Sequence, residues 1–515
     1  MTDTATRRRR ALPVLPAVAP LEPVPAVAPD APRIGILTLG CDKNTVDTER
    51  LMARLAAAGA RVTDDAGDAD VLVVNTCGFI EVAKEESIET ILEAARLKAD
   101  GRVRAVVAMG CLVQRYKAEL AAGMPEVDLF LGLTEAERLV PELRRRGLLP
   151  PADASTPLME RPLRRIATRT RHTSYLKVSE GCDHTCAFCA IPLMRGKHRS
   201  TPIDALVREA RELEAQGVVE LNVVSQDTTW YGRDLARGMA PAEGDLFVGA
   251  AFRGMAGIDE VSPPKRANGD RSASRQGLLP ELLEALLDAT AIPWIRLFYM
   301  YPSGITRALV DRIAAEPRIV RYLDMPIQHG SDTMLARMRR PERRRTIRER
   351  VAWLRAAIPG IALRTTVIVG FPGETDEEFE ELIELLEELR FDQVGAFSYS
   401  HEENTRAATM PDPVAPALAR ERLERLLDVQ RSIKLVLNEE RIGKEDVALI
   451  DEVVGRENGM DAKDARGAVA RSASQALEVD GVVHIEDAGE ARPGDFVRIR
   501  ITGALEDDLV AERIA

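Results

Sequence analysis

The spacing Cys182-x3-Cys186-x2-Cys189 constrains this chain more than any other feature. Three thiols within eight residues are not three casual core cysteines. The chain has only six cysteines in 515 residues, far too few for a disulfide scaffold. Structural zinc would want two separated ligand pairs and four ligands, whereas this loop offers three cysteines and one histidine, His184. A 4Fe-4S cluster on three cysteines leaves one iron without a protein ligand, which is useful only if something else binds there. The remaining three cysteines repeat the pattern at a distance. Cys41, Cys77 and Cys111 each follow the end of an apolar strand run, in Leu39-Gly40-Cys41, Val74-Asn75-Thr76-Cys77 and Met109-Gly110-Cys111. That is the ligand-binding edge of an open parallel sheet. Three unrelated buried cysteines are the alternative reading.

The rest of the chain predicts an α/β multidomain protein. Residues 1–31, with four arginines followed by a proline-broken apolar stretch, read as a disordered arm and not as a secretory signal. Residues 32–147 alternate apolar strands (33–39, 71–75, 103–109) with helical patterns, which predicts an open parallel sheet. A proline-rich linker covers 147–165. Residues 168–409 carry six candidate strands, starting near 175, 220, 294, 322, 363 and 393, with helices between them. This pattern predicts a partial (β/α)6 barrel. Thr375 and Glu378 open one helix at capping-box spacing. The Gly/Pro/Ser-rich stretch 236–276 reads as a surface insertion. Residues 412–511 give a helical lead-in and then short alternating runs, as in a small antiparallel β-barrel. No apolar run reaches the roughly 20 residues of a membrane helix, and a cytoplasmic location is expected.

The loop Ser179-Glu-Gly-Cys182-Asp-His-Thr-Cys186-Ala-Phe-Cys189 resembles the signature of radical S-adenosylmethionine enzymes. The resemblance implies a 4Fe-4S cluster on Cys182, Cys186 and Cys189, with S-adenosylmethionine on the open iron and reductive cleavage to a 5′-deoxyadenosyl radical. It places Phe188 near the adenine. The runs Leu39–Asn44, Asn75–Phe79 and Gly110–Arg115 resemble the N-terminal domain of methylthiotransferases, and Arg441 onward is similar to their TRAM domain. That likeness implies a second 4Fe-4S cluster on Cys41, Cys77 and Cys111, holding the sulfur to be inserted. No catalytic side chain beyond the cysteines is expected. Cofactor-binding residues should lie at barrel-strand ends. The candidates are Gln226 and Asp227, then Gln328 and His329, then Arg364, Gly370 and Glu374.

Two branches of that family differ in substrate. Ser225–Gly232 and Tyr322–His329 resemble the branch that inserts a methylthio group at an aspartate β-carbon of small-subunit ribosomal protein S-twelve, giving 3-methylthioaspartate. The other branch modifies an adenosine in transfer RNA. Charge separates them independently. The chain carries a net charge of −12, and residues 441–515 hold 10 Lys/Arg against 17 Asp/Glu. Phosphate binding wants a basic surface, whereas an acidic barrel suits a basic ribosomal protein. The arginine-rich run 337–350 has helical spacing and reads as a solvated helix face, with ribosomal RNA contact as the other possibility. A non-catalytic iron–sulfur carrier or redox sensor is the remaining alternative, but carriers normally ligate clusters with four cysteines. Expected partners are the ribosomal protein, free or in the small subunit, an electron donor such as flavodoxin or ferredoxin, and a sulfur donor. A monomer with no membrane partner is expected.

Overall fold

The computed structural model describes residues 31–63, 65–151, 164, 170–235, 277–454 and 467–514. The predicted insertion, nearly all of the predicted arm and residues 152–163 and 165 of the predicted linker lie outside these residues. Contacts divide the chain into two compact units. One holds the described residues before Thr170 together with Leu193–Arg195. The other holds Thr170–Pro192 and the described residues from Gly196 onward.

The first unit is a five-stranded parallel sheet. Its elements run β1 (Arg33–Thr38), α1 (Asp42–Ala57), β2 (Arg61–Thr63), β3 (Val71–Thr76), α2 (Glu81–Ala99), β4 (Ala105–Gly110), α3 (Cys111–Gly123), β5 (Leu129–Gly132) and α4 (Leu139–Arg145). The strand order is β2-β1-β3-β4-β5. Every residue of β3 and β4 is buried, as unbroken apolar runs in a sheet covered on both faces require. Two strands were not predicted. β2 has three residues and an exposed start, so it carries no apolar run to read. β5 is only four residues long. The first helix begins at Asp42, five residues earlier than its apolar period suggests, because Cys41 is its N-cap.

The second unit opens with β6 (Thr173–Lys177), β7 (Ser179–Glu180), α5 (Ile191–Arg195, whose last three residues group with the first unit), β8 (Arg199–Ser200), α6 (Ile203–Ala215) and β9 (Glu220–Val224). It continues through α7 (Leu279–Ala289), β10 (Trp294–Leu297), α8 (Arg307–Ala315), β11 (Ile319–Asp324), α9 (Asp332–Arg337), α10 (Arg344–Ala357), β12 (Ala362–Val369), α11 (Asp376–Leu389) and β13 (Gln393–Ser398). Six of these strands form one parallel sheet in the order β13-β12-β11-β10-β9-β6. This is the predicted set of six β/α units. The predicted capping box is present, with Thr375 Oγ1 accepting from Glu378 N at 3.2 Å and Glu378 Oε2 accepting from Thr375 N at 3.0 Å. The run 337–350, read from sequence as a solvated helix face, is divided between two helices. It ends α9, turns through Met338–Arg343 and then starts α10.

After α12 (Pro416–Glu439) come β14 (Glu445–Val454), β15 (Gly467–Ser472), β16 (Val483–Ile485), β17 (Phe496–Ala504) and β18 (Leu509–Arg513). They close into a five-stranded barrel. Its interior is the alternating set Ala448, Ile450, Ala468, Ala470, Val497, Ile499 and Ile501, as period-two patterning demands. β16 and β18 escaped prediction because each has so few residues in register. Leu449 and Phe496 of this barrel, with Ala476, pack instead on Trp294, Phe298 and Tyr322 of the larger sheet, so one apolar cluster joins the small barrel to that sheet. The Trp294 and Phe496 rings meet edge-on at 5.0 Å.

Two candidate cysteine centres

The first centre is built on strand ends of the N-terminal sheet. Cys41 caps α1 and is exposed, whereas Cys77, directly after β3, and Cys111, which begins α3, are buried. Gly40 lies against Cys77. A Cβ added at residue 40 would stand 2.8 Å from Cys77 Cβ and 2.9 Å from its Sγ, so only glycine leaves the thiol its place. Ser87 of α2 holds the Cys77 backbone from both sides, accepting from its N at 3.0 Å and donating to its carbonyl at 2.8 Å. Asn44 ties the strand ends together through Nδ2, which donates to the carbonyls of Leu39 at 2.7 Å and Thr76 at 3.2 Å. Its Oδ1 lies 3.9 Å from Cys111 Sγ and accepts from Arg195 Nη2 at 2.6 Å.

Burial pushes the Cys77 thiol up to about 11 and Cys111 to about 12. The neighbouring Cys41 raises both further, and Cys77 raises Cys111. The mutual influence of Cys41, Cys77 and Cys111 places the three sulfurs near one another, and a bound cation would let Cys77 and Cys111 ionise. Arg195, a buried cation that pairs with Asp47 at 3.1 Å, acts on Cys77 and Cys111 in the opposite direction. Sequence reasoning missed Ser87, Asp47 and Arg195. Asn44 lay inside a quoted motif without a role, and nothing in the local pattern around Arg195 links it to residues some 150 positions earlier.

The second centre is the loop after β7. Cys182 and Cys186 are buried and Cys189 is half-buried. Cys182 N donates to the Gly196 carbonyl at 3.0 Å, and Cys189 N to the Cys186 carbonyl at 3.2 Å. Burial, reinforced by Cys186, pushes Cys182 up to about 12 and Cys189 well above the usual thiol range. Cys186 Sγ accepts from Arg340 Nη1 at 3.7 Å. Arg340 is fully buried, pairs with Glu342 at 3.1 Å and lies 4.0 Å over the Tyr301 ring. His184 stacks on Tyr301 at 4.4 Å with 6° between the planes. Its Nε2 meets Asp227 Oδ2 at 2.6 Å.

The other predicted site residues fall into two groups. Phe188 is half-buried against the apolar cluster of Ala187, Met334, Met338, Phe371 and Ala407, and Gln226 is half-buried after β9. Gln328 takes a left-handed backbone at φ 70, its N donating to Thr366 and its carbonyl accepting from Ile368, both at 2.8 Å. Such a φ is uncommon outside glycine and is held only where surroundings enforce it. The second group is committed to structure. Asp227 Oδ1 accepts from Thr229 N at 2.9 Å and Oγ1 at 2.6 Å, so both its oxygens are engaged. Glu374 binds His329 Nε2 at 3.0 Å, Gly370 N at 2.6 Å and Arg422 Nη1 at 2.8 Å. His329 Nδ1 accepts from Ser331 N at 3.0 Å, so the proton sits on Nε2. Arg364 reaches Asp324 at 2.9 Å and Asp480 at 3.5 Å. Gly370, expected to let backbone approach a cofactor, instead admits α12: a Cβ there would lie 2.6 Å from Ala419 Cβ.

No group of three His, Cys, Asp or Glu among the described residues is close enough to hold one metal ion. A cubane cluster offers each thiolate a different iron, so its ligands stand farther apart than those of a single ion. Two sets of three clustered, mostly buried thiols fit such a group.

Comparison with known proteins adds three family matches. Residues 33–132 match the uncharacterized protein family UPF0004, 176–386 the radical SAM superfamily, and 442–514 the TRAM domain. A ribosomal protein uS12 methylthiotransferase RimO of Anaeromyxobacter sp. (strain K) is 44% identical over 489 residues, 94% of each chain. The protein of the same name from Desulforudis audaxviator is 42% identical, covering 94% of this chain and 97% of its own. That of Geobacter sulfurreducens is 40% identical, covering 94% and 99%.

Proposed function

The chain belongs to the ribosomal protein uS12 methylthiotransferase family, and from this premise we propose that it inserts a methylthio group at the β-carbon of an aspartate in that ribosomal protein. The product is 3-methylthioaspartate. Cys182, Cys186 and Cys189 would hold one 4Fe-4S cluster, and Cys41, Cys77 and Cys111 a second. Together with S-adenosylmethionine, these groups supply the electron, the hydrogen-abstracting radical, the methyl group and the sulfur that no side chain can provide.

The chain's own residues position and shield. Arg340 places a buried positive charge against Cys186, and Arg195 places one beside Cys77 and Cys111. Both offset the negative charge of three thiolates in a low-dielectric site. Asp227 fixes the His184 ring on Tyr301 and so holds the cysteine loop. Glu374 ties the turn after β12 to His329 and to Arg422. Gln328 and Phe188 stay at the strand ends, where S-adenosylmethionine would lie.

One observation carries this reading: both thiol sets stop at three, which leaves each cluster with an iron open to an outside ligand and disfavours a plain electron carrier. The transfer-RNA reading is opposed by the C-terminal barrel. Its Arg498 and Arg500 pair with Glu445, and Arg500 also with Glu512, so these cations are already neutralised. Mass spectrometry of uS12 from a strain lacking this gene tests the proposal. Loss of the methylthio group is expected. Unchanged uS12 with altered transfer RNA would reverse it.

A further inference from the structure

A pocket of about 610 Å³ opens beside the cysteine loop, within the second unit. Four arginines, Arg233, Arg339, Arg340 and Arg343, line it against one carboxylate, Asp183. The arginine run 337–350 explains why the pocket is positive. Arg337, Arg344 and Arg348 pair with Glu378, Glu384 and Glu388 of α11 at 3.0, 3.3 and 2.6 Å, and Arg350 pairs with Glu349 at 3.3 Å. Arg339 and Arg343 have no carboxylate partner among the described residues, and both face the pocket. Arg343 spends its Nη1 on the carbonyls of Arg340 and Glu342. Arg339 is exposed in a left-handed backbone, φ 58, at a helix end where glycine is the ordinary choice.

The same pocket touches the cysteine loop. His184 lies between Cys182 and Cys186 and lines it. Arg340 lines it too and donates to Cys186 Sγ at 3.7 Å. A molecule seated there is one side chain away from a cysteine thiol. We propose that this pocket is the docking site of an acidic one-electron carrier protein, which delivers its electron to the centre on Cys182, Cys186 and Cys189. This inference rests on the function proposed above. The carrier is oxidised by one electron and the centre reduced by one, with no bond broken in that step. A chain of net charge −12 repels an acidic partner over most of its surface, so the local positive charge of Arg339 and Arg343 is what steers the encounter. RNA is a poorer occupant, because the neighbouring arginines that would track a phosphate backbone are already neutralised.

The test uses the full-length reconstituted protein and stopped-flow measurement of cluster reduction, with reduced flavodoxin and reduced ferredoxin as acidic carriers and reduced methyl viologen as a small cationic control. Arg339→Glu with Arg343→Glu should slow reduction by at least one carrier by about tenfold or more and flatten its dependence on salt. The Arg339→Gln, Arg343→Gln pair should show a smaller loss in the same direction. Arg345→Glu, an exposed arginine outside the pocket, should behave as wild type, and viologen, being cationic, should reduce every variant no more slowly than wild type. Unchanged carrier rates, or equal losses with viologen, overturn the docking site. Unchanged carrier rates with weakened binding of a ribosomal RNA fragment overturn it in favour of RNA. Failure of the viologen-reduced wild type to form 5′-deoxyadenosine would strike the proposed function instead, whatever the arginines do.

Discussion

Arg471 of the C-terminal barrel lies 2.7 Å from Glu220, the first residue of β9, and both side chains are essentially sealed from solvent. Glu220 also receives Arg296 of β10 at 2.8 Å, while Arg471 pairs with Asp451 at 2.6 Å. Asp451 in turn meets His172 at 2.8 Å. The small barrel is therefore pinned to the base of the larger sheet by buried charges as well as by the Trp294–Phe496 contact. Within this unit it is part of the sheet's own core and not a tethered appendage.

This pinning has a pH signature. The two arginines hold the Glu220 carboxyl down to about 2 despite complete burial. A depressed carboxylate contributes stability that is fully present above its unfolded value, about 4.3, and is lost as pH falls toward the folded one. Glu220→Gln should remove that contribution, take from Arg296 its carboxylate and leave Arg471 with Asp451, costing about 3–5 kcal/mol at neutral pH. Urea denaturation at pH 7 and at pH 3 checks both parts. The variant's deficit should shrink at the lower pH, and an equal deficit at both would show that the carboxylate's charge is not what matters.

The two thiol sets should separate cleanly in metal content. Replacing Cys182, Cys186 and Cys189 by alanine, or Cys41, Cys77 and Cys111, should each lower iron from about eight to about four per chain after anaerobic reconstitution. The consequences differ. Without the first set, S-adenosylmethionine should not be cleaved. Without the second, 5′-deoxyadenosine should still form while methylthio transfer to uS12 stops. If the Cys41 set can be removed with transfer intact, that set has no part in the chemistry.

Thiol reactivity of the metal-free protein gives an independent check. Cys77, Cys111 and Cys182 are held at about 11, 12 and 12, so near pH 8 they are almost wholly protonated and poor nucleophiles. Cys41 is exposed at a helix start. Iodoacetamide at pH 8 should therefore label Cys41 first and those three slowly, with their labelling accelerating as pH rises toward 11. Peptide mapping reads the order. Rapid labelling of Cys77 or Cys111 at pH 8 would contradict their enclosure.

What was legible in the sequence followed from period and spacing. The six strands of the larger sheet, the capping box at Thr375, the place of Cys41, Cys77 and Cys111 at strand ends and the loop that carries Cys182, Cys186 and Cys189 each have a local cause in neighbouring residues. The strands that escaped, β2, β5, β7, β8, β16 and β18, are two to five residues long, too short for any apolar period to register. Long-range roles were equally invisible. Glu374 suggests a cofactor ligand by position, yet its oxygens are consumed by His329, Gly370 and Arg422, and Arg422 comes from a helix 48 residues later. Arg195 looks like the end of a short helix until Asn44 and Asp47 are found beside it.

Gly40 offers the most local of the tests. It has φ 91, and a methyl group there would stand inside van der Waals contact with both the Cβ and the Sγ of Cys77. Those atoms cannot withdraw easily, because Ser87 holds the Cys77 backbone on both its N–H and its carbonyl. Gly40→Ala therefore displaces one thiol of the first set and adds the cost of a left-handed alanine, about 1–2 kcal/mol. The second set is untouched by this change. Iron should fall toward about four per chain, with cleavage of S-adenosylmethionine preserved and methylthio transfer lost. Full iron content in a folded Gly40→Ala protein would mean that Cys77 does not face the space shared by Cys41 and Cys111.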